Sequence, residues 1–227
     1  GDKVWTFREL REAVMLRAGK LRACGVIEGQ RVSLEMHATP DCITDFWALT
    51  WLGAVPVLLD PKTPRGVYED ALEALGSVKL PTSSDPNDHA LPSVPLGLDE
   101  ERVILFTSGS TGTPRPVPLT TQQLAFSVFG QAGRLGHHLD DRWGCALPLH
   151  HIGGLSVLLR TIWLQTTAVV YPQWNPSRIS QALDRGDISM LSLVPSMLTD
   201  LLDSREDRPF PASTRVLLIG GAKVNDT

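Results

Sequence analysis

"FTSGSTGTPRPVP", residues 106–118, sets four hydroxyl side chains and two glycines into positions 107–112, then one arginine among three prolines. The apolar run "RVILF" (102–106) leads into it and reads as a strand. A loop at the carboxyl end of such a strand stands where α/β proteins hold ligands. Gly109 and Gly112 permit close backbone approach, and Thr107, Ser108, Ser110, Thr111 and Thr113 add hydroxyls to the exposed N–H groups. Together they make a concave donor surface suited to a polyphosphate, to which Arg115 adds a charged donor. From the loop alone, a mobile Gly/Ser-rich surface turn reads equally well.

Three other motifs fail on spacing. A Walker A loop needs GxxxxGK[ST] running into a helix, and no glycine here precedes Lys-Ser or Lys-Thr. Pro114, Pro116 and Pro118 alternate, so the chain leaving the loop must be extended or turned. The dinucleotide fingerprint GxGxxG is absent. A nucleophile elbow needs glycine two before its serine, but Ser108 holds that place before Ser110, which sets a serine hydrolase aside.

Outward from the loop, strands alternate with helices. Thr6 and Glu9 form a capping box, Phe7, Leu10, Val14 and Leu21 recur at roughly helical spacing, and Gly25 closes that helix. "RVSLEM" (31–36) predicts a strand, 41–52 a helix, and "AVPVLL" (54–59) a buried strand. Residues 77–99, rich in Pro, Ser and Asp, read mostly as connection. Beyond the loop, Thr120 and Gln123 cap a helix to about 133. "GCALPL" and "TAVVY" predict strands flanking an apolar helix over about 154–165. Asn175 and Pro176 open a helix to 185, "ISMLSLV" (188–194) is a strand, 196–204 a helix and "RVLLIGG" (215–221) a strand. The pattern predicts an α/β fold of layered, mostly parallel sheets flanked by helices, in two parts, 1–100 and 101–227.

Composition narrows the partners. A net charge of −4 with no basic run argues against a nucleic-acid binder. Three scattered cysteines, none in a CxxC pair, fit a reducing compartment and make the cytoplasm the default location. No apolar stretch is long enough to span a bilayer. Whether the chain forms a homo-oligomer is left open.

Taken whole, "TSGSTGTPR" resembles the phosphate-binding signature of the adenylate-forming enzymes: acyl-CoA synthetases, peptide-synthetase adenylation domains and luciferases. "TFRELREAVMLRAGKLRACGVIEGQRVSLEM" and "ALTWLGAVPVLLDPKTP" resemble that family's N-terminal passages. "LPLHHIGGL" (147–155) resembles its Pro-His-Gly motif, and "LIGGAKV" (218–224) the segment beside its adenine. Five motifs in order cover nearly the whole chain. Within the family, "LPLHHIGGLSVLLRTI" and "ISMLSLVPSMLTDLLD" most resemble the 2-succinylbenzoate–CoA ligases of menaquinone biosynthesis.

The resemblance implies a large N-terminal adenylation domain and two half-reactions. A carboxylate attacks the α-phosphate of ATP to give an acyl-adenylate and pyrophosphate; the CoA thiol then displaces AMP. It places Thr107, Ser108, Gly109, Ser110, Thr111, Gly112 and Thr113 on the β- and γ-phosphates, with Arg115 at a position more often lysine. Pro116 stands where glycine is usual. His151 falls between acyl carboxylate and α-phosphate, Gly220, Gly221 and Ala222 beside adenine, and Ser192, Val194, Pro195 and Ser196 in the acyl pocket. From the residues alone, a core histidine, a tight turn and plain core remain the alternatives at these three places. In an extended segment His150 and His151 would point to opposite faces, which weakens a metal reading, and no metal ligand is assigned. The Mg2+-binding glutamate, the ribose aspartate and the C-terminal domain with its catalytic lysine would follow residue 227. The chain is therefore expected to be a truncated piece with little activity alone. A ligase for another aromatic or fatty acid, a carrier-loading adenylation domain, and a non-catalytic nucleotide-binding module, suggested by Arg115 and Pro116, are the competing readings.

Overall fold

A computed structural model describes residues 4–82, 93–95, 97–108 and 114–221. They divide into two compact units, Gly1–Leu124 and Ala125–Thr227. The first contains α1 (Phe7–Ala23), β1 (Arg31–Glu35), α2 (Pro40–Trp51), β2 (Val55–Leu59), a 3₁₀ turn (Arg65–Tyr68), α3 (Glu69–Ala74), β3 (Val78–Lys79), β4 (Glu101–Ser108) and β5 (Pro114–Thr120). Its five-stranded sheet has the order β3-β1-β2-β4-β5. The division expected at 100/101 would cut β4 from this sheet. In the structure β4 pairs in parallel with β2, through Val57 and Ile104, and so belongs to the first unit.

Local chemistry explains the elements. Thr6 Oγ1 accepts from the Glu9 N–H at 3.2 Å while Glu9 Oε2 accepts from the Thr6 N–H at 2.7 Å, closing the capping box of α1. Gly25, at φ +88°, turns the chain out of that helix. Val14, Ala18 and Leu21 form the buried stripe of α1, and Arg17 reaches Asp45 of α2 at 2.5 Å. β2 is buried at every residue, as a central parallel strand covered on both faces must be. Val55, Val57 and Leu59 share a core with Tyr68, Leu72, Ile104 and Phe106.

β4 and β5 are antiparallel, with Thr107 opposite Arg115 and Ser108 opposite Pro114. The prolines at 114, 116 and 118 share one parity of β5, so Arg115, Val117 and Leu119 are left to donate N–H groups to the ladder. Because β5 is the last strand of its sheet, the missing donors face an open edge and discourage further strand addition.

α4 (Thr121–Leu135) opens with a second capping box, the Thr120 N–H donating to Gln123 Oε1 at 2.9 Å. The second unit continues with β6 (Arg142–Cys145), α5 (Ile152–Leu164), β7 (Thr167–Val170), α6 (Pro176–Asp184), β8 (Met190–Leu193), α7 (Pro195–Arg205) and β9 (Val216–Ile219). Its four strands are all parallel, in the order β7-β6-β8-β9. The chain steps one way from β6 to β7, then back past β6 to β8 and β9. With right-handed crossovers, that reversal puts α5 on one face and α6 and α7 on the other. Leu191 and Leu193 accordingly join Ile179, Leu183 and Leu201 in one core, while Met190 and Ser192 face the opposite side. Among the described residues no helix is long and apolar enough to cross a membrane.

Candidate functional site

The reversal of strand order defines where the second unit can hold a ligand. Outside the carboxyl ends of parallel strands, connections diverge at a switch point and leave a crevice. Three candidate segments leave the carboxyl ends of β6, β8 and β9: 146–151, 194–196 and 220–221. The structure brings the last two close together: the Gly220 N–H donates to the Leu193 carbonyl at the end of β8 at 3.0 Å, and Gly221 lies beside the Val194 side chain.

The turn before α5 is built on a glycine. A Cβ on Gly154 would lie 2.4 Å from the Pro148 carbonyl oxygen and 2.7 Å from that of Leu147, so only glycine lets the helix start this close. His151 is the N-cap residue of α5, exposed, and its carbonyl accepts from the Gly154 and Leu155 N–H groups at 3.1 and 2.9 Å. Its imidazole makes no cap hydrogen bond, which leaves the first-turn N–H groups free of a capping side chain at the positive end of the helix. A buried core histidine is therefore not what stands at 151. Nor do the paired histidines diverge. The segment is a turn, and the rings of His150 and His151 lie 4.2 Å apart at 54°. Among the described residues no group of three or more His, Cys, Asp or Glu is arranged to hold a metal ion.

Gly220 and Gly221 differ. A Cβ on Gly220 would meet nothing within 4 Å, whereas on Gly221, at φ +87°, it would come within 3.3 Å of Val194 Cγ1. Among the described residues, the backbone at 220 thus borders open space. Val194 and Pro195 are half-buried and Ser196 exposed. In the first unit Thr107 and Arg115 are both exposed at the end of the β4–β5 ladder. Gly109, Ser110, Thr111, Gly112, Thr113 and Ala222 lie outside the described residues, as does the side chain of Ser108.

Ser192 is buried, and its Oγ accepts from Trp143 Nε1 at 2.9 Å. Over the Trp143 ring, 4.5 Å from its centroid, lies the guanidinium of Arg160. Arg160 sits on the sheet-facing side of the apolar helix α5 and is only 6% exposed. Its Nε and Nη1 have no hydrogen-bond partner, and no ion pair neutralises it among the described residues. Burial pulls its pKa down to about 10, so it is still charged at neutral pH. A buried, unpaired guanidinium is costly unless an anion completes it. Arg160 and Trp143 border a cleft that Gln131, His137, Asp141 and Thr166 also line. Asp141 does not serve as the counter-ion, because both its oxygens accept from Arg215, at 2.8 and 2.6 Å. No sequence motif marks Arg160. The available signal was one cation in the otherwise uncharged run "IGGLSVLLRTIWL".

The buried thiols are inert by comparison: burial raises Cys42 to about 11 and Cys145 to about 12.

Comparison with known proteins shows the family. The family model described as AMP-binding enzyme matches residues 67–227. The 2-succinylbenzoate–CoA ligase of Bacillus cereus (strain Q1) is 32% identical over 95% of this chain and 48% of its own length. The o-succinylbenzoate CoA synthetase of Bacillus subtilis, solved in complex with the acyl-adenylate intermediate OSB-AMP, matches with a TM-score of 0.88 at 27% identity, covering 98% of this chain and 63% of that one. The same enzyme solved with ATP and magnesium ion matches at 0.85 and 27%, over 97% of this chain and 50% of that one. The chain spans about half the length of the curated relatives it matches.

Proposed function

The chain belongs to the AMP-binding enzyme family, and from that premise we propose that it forms the nucleotide- and acid-binding part of an acid–CoA ligase acting on 2-succinylbenzoate. In the first step a carboxylate oxygen of the acid bonds to the α-phosphorus of ATP and pyrophosphate departs. In the second the thiol sulfur of CoA attacks the acyl carbon, AMP leaves with the electron pair, and the thiol proton passes to solvent. A free carboxylate resists thiols; the mixed anhydride does not.

What this chain's residues contribute is positioning and charge stabilisation. The hydroxyl- and glycine-rich turn between Thr107 and Arg115 grips the β- and γ-phosphates. His151, with the N–H groups of Ile152 and Gly153 at the positive end of α5, donates to oxygens of the acyl carboxylate and α-phosphate, where negative charge concentrates as the bond forms. Gly220 leaves room for adenine, and Gly221 keeps the turn clear of Val194. Magnesium would neutralise the polyphosphate when bound. The described residues present no cluster for it, so its ligands are not assigned to this chain.

One observation carries the choice of acid: the buried Arg160 with unmet donors, one indole away from Ser192. 2-Succinylbenzoate has two carboxylates. One is activated beside His151; the other is an anion able to meet Arg160 inside the protein. Monocarboxylic fatty acids would leave that guanidinium unpaired, which disfavours the fatty-acid reading. The test is ATP–pyrophosphate exchange in the complete protein. Exchange should require 2-succinylbenzoate, and Arg160→Met should lower kcat/KM for that acid by about 100-fold, the loss of a buried charge pair. Exchange driven equally well by a long-chain monocarboxylate would refute the assignment.

A further inference from the structure

The first sheet has a switch point of its own. The chain leaves β2 toward β3 on one side and β4 toward β5 on the other, so the order β3-β1-β2-β4-β5 opens a crevice between the carboxyl ends of β2 and β4. The register described between these two strands is Val57 with Ile104, and both strands run on beyond it. One side chain reaches both of their ends. Tyr68, the last residue of the 3₁₀ turn, is 5% exposed and packs its ring on Phe106, with centroids 4.8 Å apart at 56°. Its Oη accepts from the N–H of Asp60, the residue after β2, at 3.4 Å. That end is itself stiff. The Thr63 N–H donates to the Asp60 carbonyl at 3.1 Å, and the Asp60 carboxylate accepts from the Lys62 N–H at 2.9 Å and the Thr63 hydroxyl at 3.0 Å.

We propose that Tyr68 is a positioning residue for the polyphosphate: it spans the floor of this crevice, sets the spacing of the β2 and β4 ends, and so fixes the bearing from which the turn after Phe106 meets the β- and γ-phosphates. The inference rests on the ligase reading above, and adds a buried residue that no motif marks. Phe106 and Thr107 are consecutive in an extended strand, so their side chains leave on opposite faces. Phe106 is buried and Thr107 exposed, and a shift of the ring in the core is therefore a shift of the hydroxyl at the surface. A turn held in place before the nucleotide arrives does not have to be ordered by it. Losing that order weakens nucleotides that carry β- and γ-phosphates and spares those that lack them.

The experiment measures binding of ATP and of AMP, which has no β- or γ-phosphate, by calorimetry on the complete protein. Tyr68→Leu keeps an apolar core side chain but loses the ring and the hydroxyl. Its Kd for ATP should rise about 10-fold while its Kd for AMP stays within about twofold. In ATP–pyrophosphate exchange its KM for ATP should rise in step and its kcat stay within about twofold, the signature of lost uniform binding. Tyr68→Phe keeps the ring, and should recover ATP affinity to within about threefold of the wild type. Leu72→Ala is the control. It opens the same core from α3 without removing the bridge, and should lower stability at an unchanged ratio of ATP to AMP affinity. Equal weakening of ATP and AMP in Tyr68→Leu, or as large a change of their ratio in Leu72→Ala, would show a merely structural role and overturn the proposal. So would unchanged ATP affinity in Tyr68→Leu while Arg115→Ala lowers it, in which case the ligase reading survives without Tyr68. A wild-type protein that binds no ATP would instead overturn the ligase reading, and this proposal with it.

Discussion

At the scale of single residues, the neighbouring glycines 220 and 221 separate binding from folding. A methyl at 220 enters open space, so Gly220→Ala should leave thermal stability within about 0.5 kcal/mol while raising KM for ATP several-fold. A methyl at 221 meets a backbone at φ +87° and the Val194 side chain, so Gly221→Ala should cost about 1 kcal/mol or more in urea denaturation. If both variants simply unfolded, adenine would not be what the first glycine makes room for. "GG" is visible in the sequence, but the difference between its members is not, because it depends on which strand end lies beside each Cα. Ser192 teaches the same lesson. Motif order places it in the acyl pocket, while its hydroxyl is held by Trp143, 49 positions away in sequence. Arg160 was legible only as an odd charge; its want of a partner exists only once α5 lies on β6 and β8.

At the scale of elements, local signals located nearly every helix and strand, because caps, prolines and periodicity act over a few residues. Phe7 fits the helical spacing of the α1 stripe but is 44% exposed, so spacing alone does not tell which of these apolar residues is buried. The short α3 and β3 went unpredicted; six and two residues are too few to show a period. β5 was legible as extended, and its parity can be tested. Val117→Pro would remove a ladder donor that the natural prolines avoid, and should destabilise by about 1–3 kcal/mol in denaturant unfolding. The end of α5 offers a gain. Gln165 closes it at φ 56° and ψ 39°, a conformation glycine adopts without strain, so Gln165→Gly should raise Tm by about 2–4 °C. β6, β9 and the end of α4 meet at an ion pair, where Arg215 also donates to the Leu135 carbonyl at 2.9 Å. Burial by itself would raise the Asp141 carboxyl, but hydrogen bonds from Arg215 and the His138 N–H, with the Arg215 charge, hold it below the usual carboxylate range. A depressed carboxyl contributes stability that is complete above its unfolded pKa, about 4, and is lost as pH falls through its lower folded value. Asp141→Asn should therefore lower stability at pH 7 and flatten the acid limb of the stability curve below about pH 4. An unchanged acid limb would mean the pair is unimportant.

At the scale of the whole molecule, ligand linkage provides the test. A nucleotide that binds only the folded state stabilises it by RT ln(1 + [L]/Kd), about 2.7 kcal/mol at a hundredfold excess over Kd. ATP should therefore raise Tm in a concentration-dependent manner, and Arg115→Ala should remove most of that rise; a wild-type Tm indifferent to ATP would favour the module that has lost nucleotide binding. The sequence by itself determined the α/β class, the order of elements, the phosphate-loop motif and the family, since each is written in residues a few positions apart. Only the tertiary structure decided that β4 pairs with β2 and so belongs to the first unit, that the segments after β6, β8 and β9 share one sheet edge, and that Arg160 is buried over Trp143 with its Nε and Nη1 unmatched. The reason is that strand neighbours and burial are set by which distant segments exclude water together, and no local pattern encodes a partner that far along the chain.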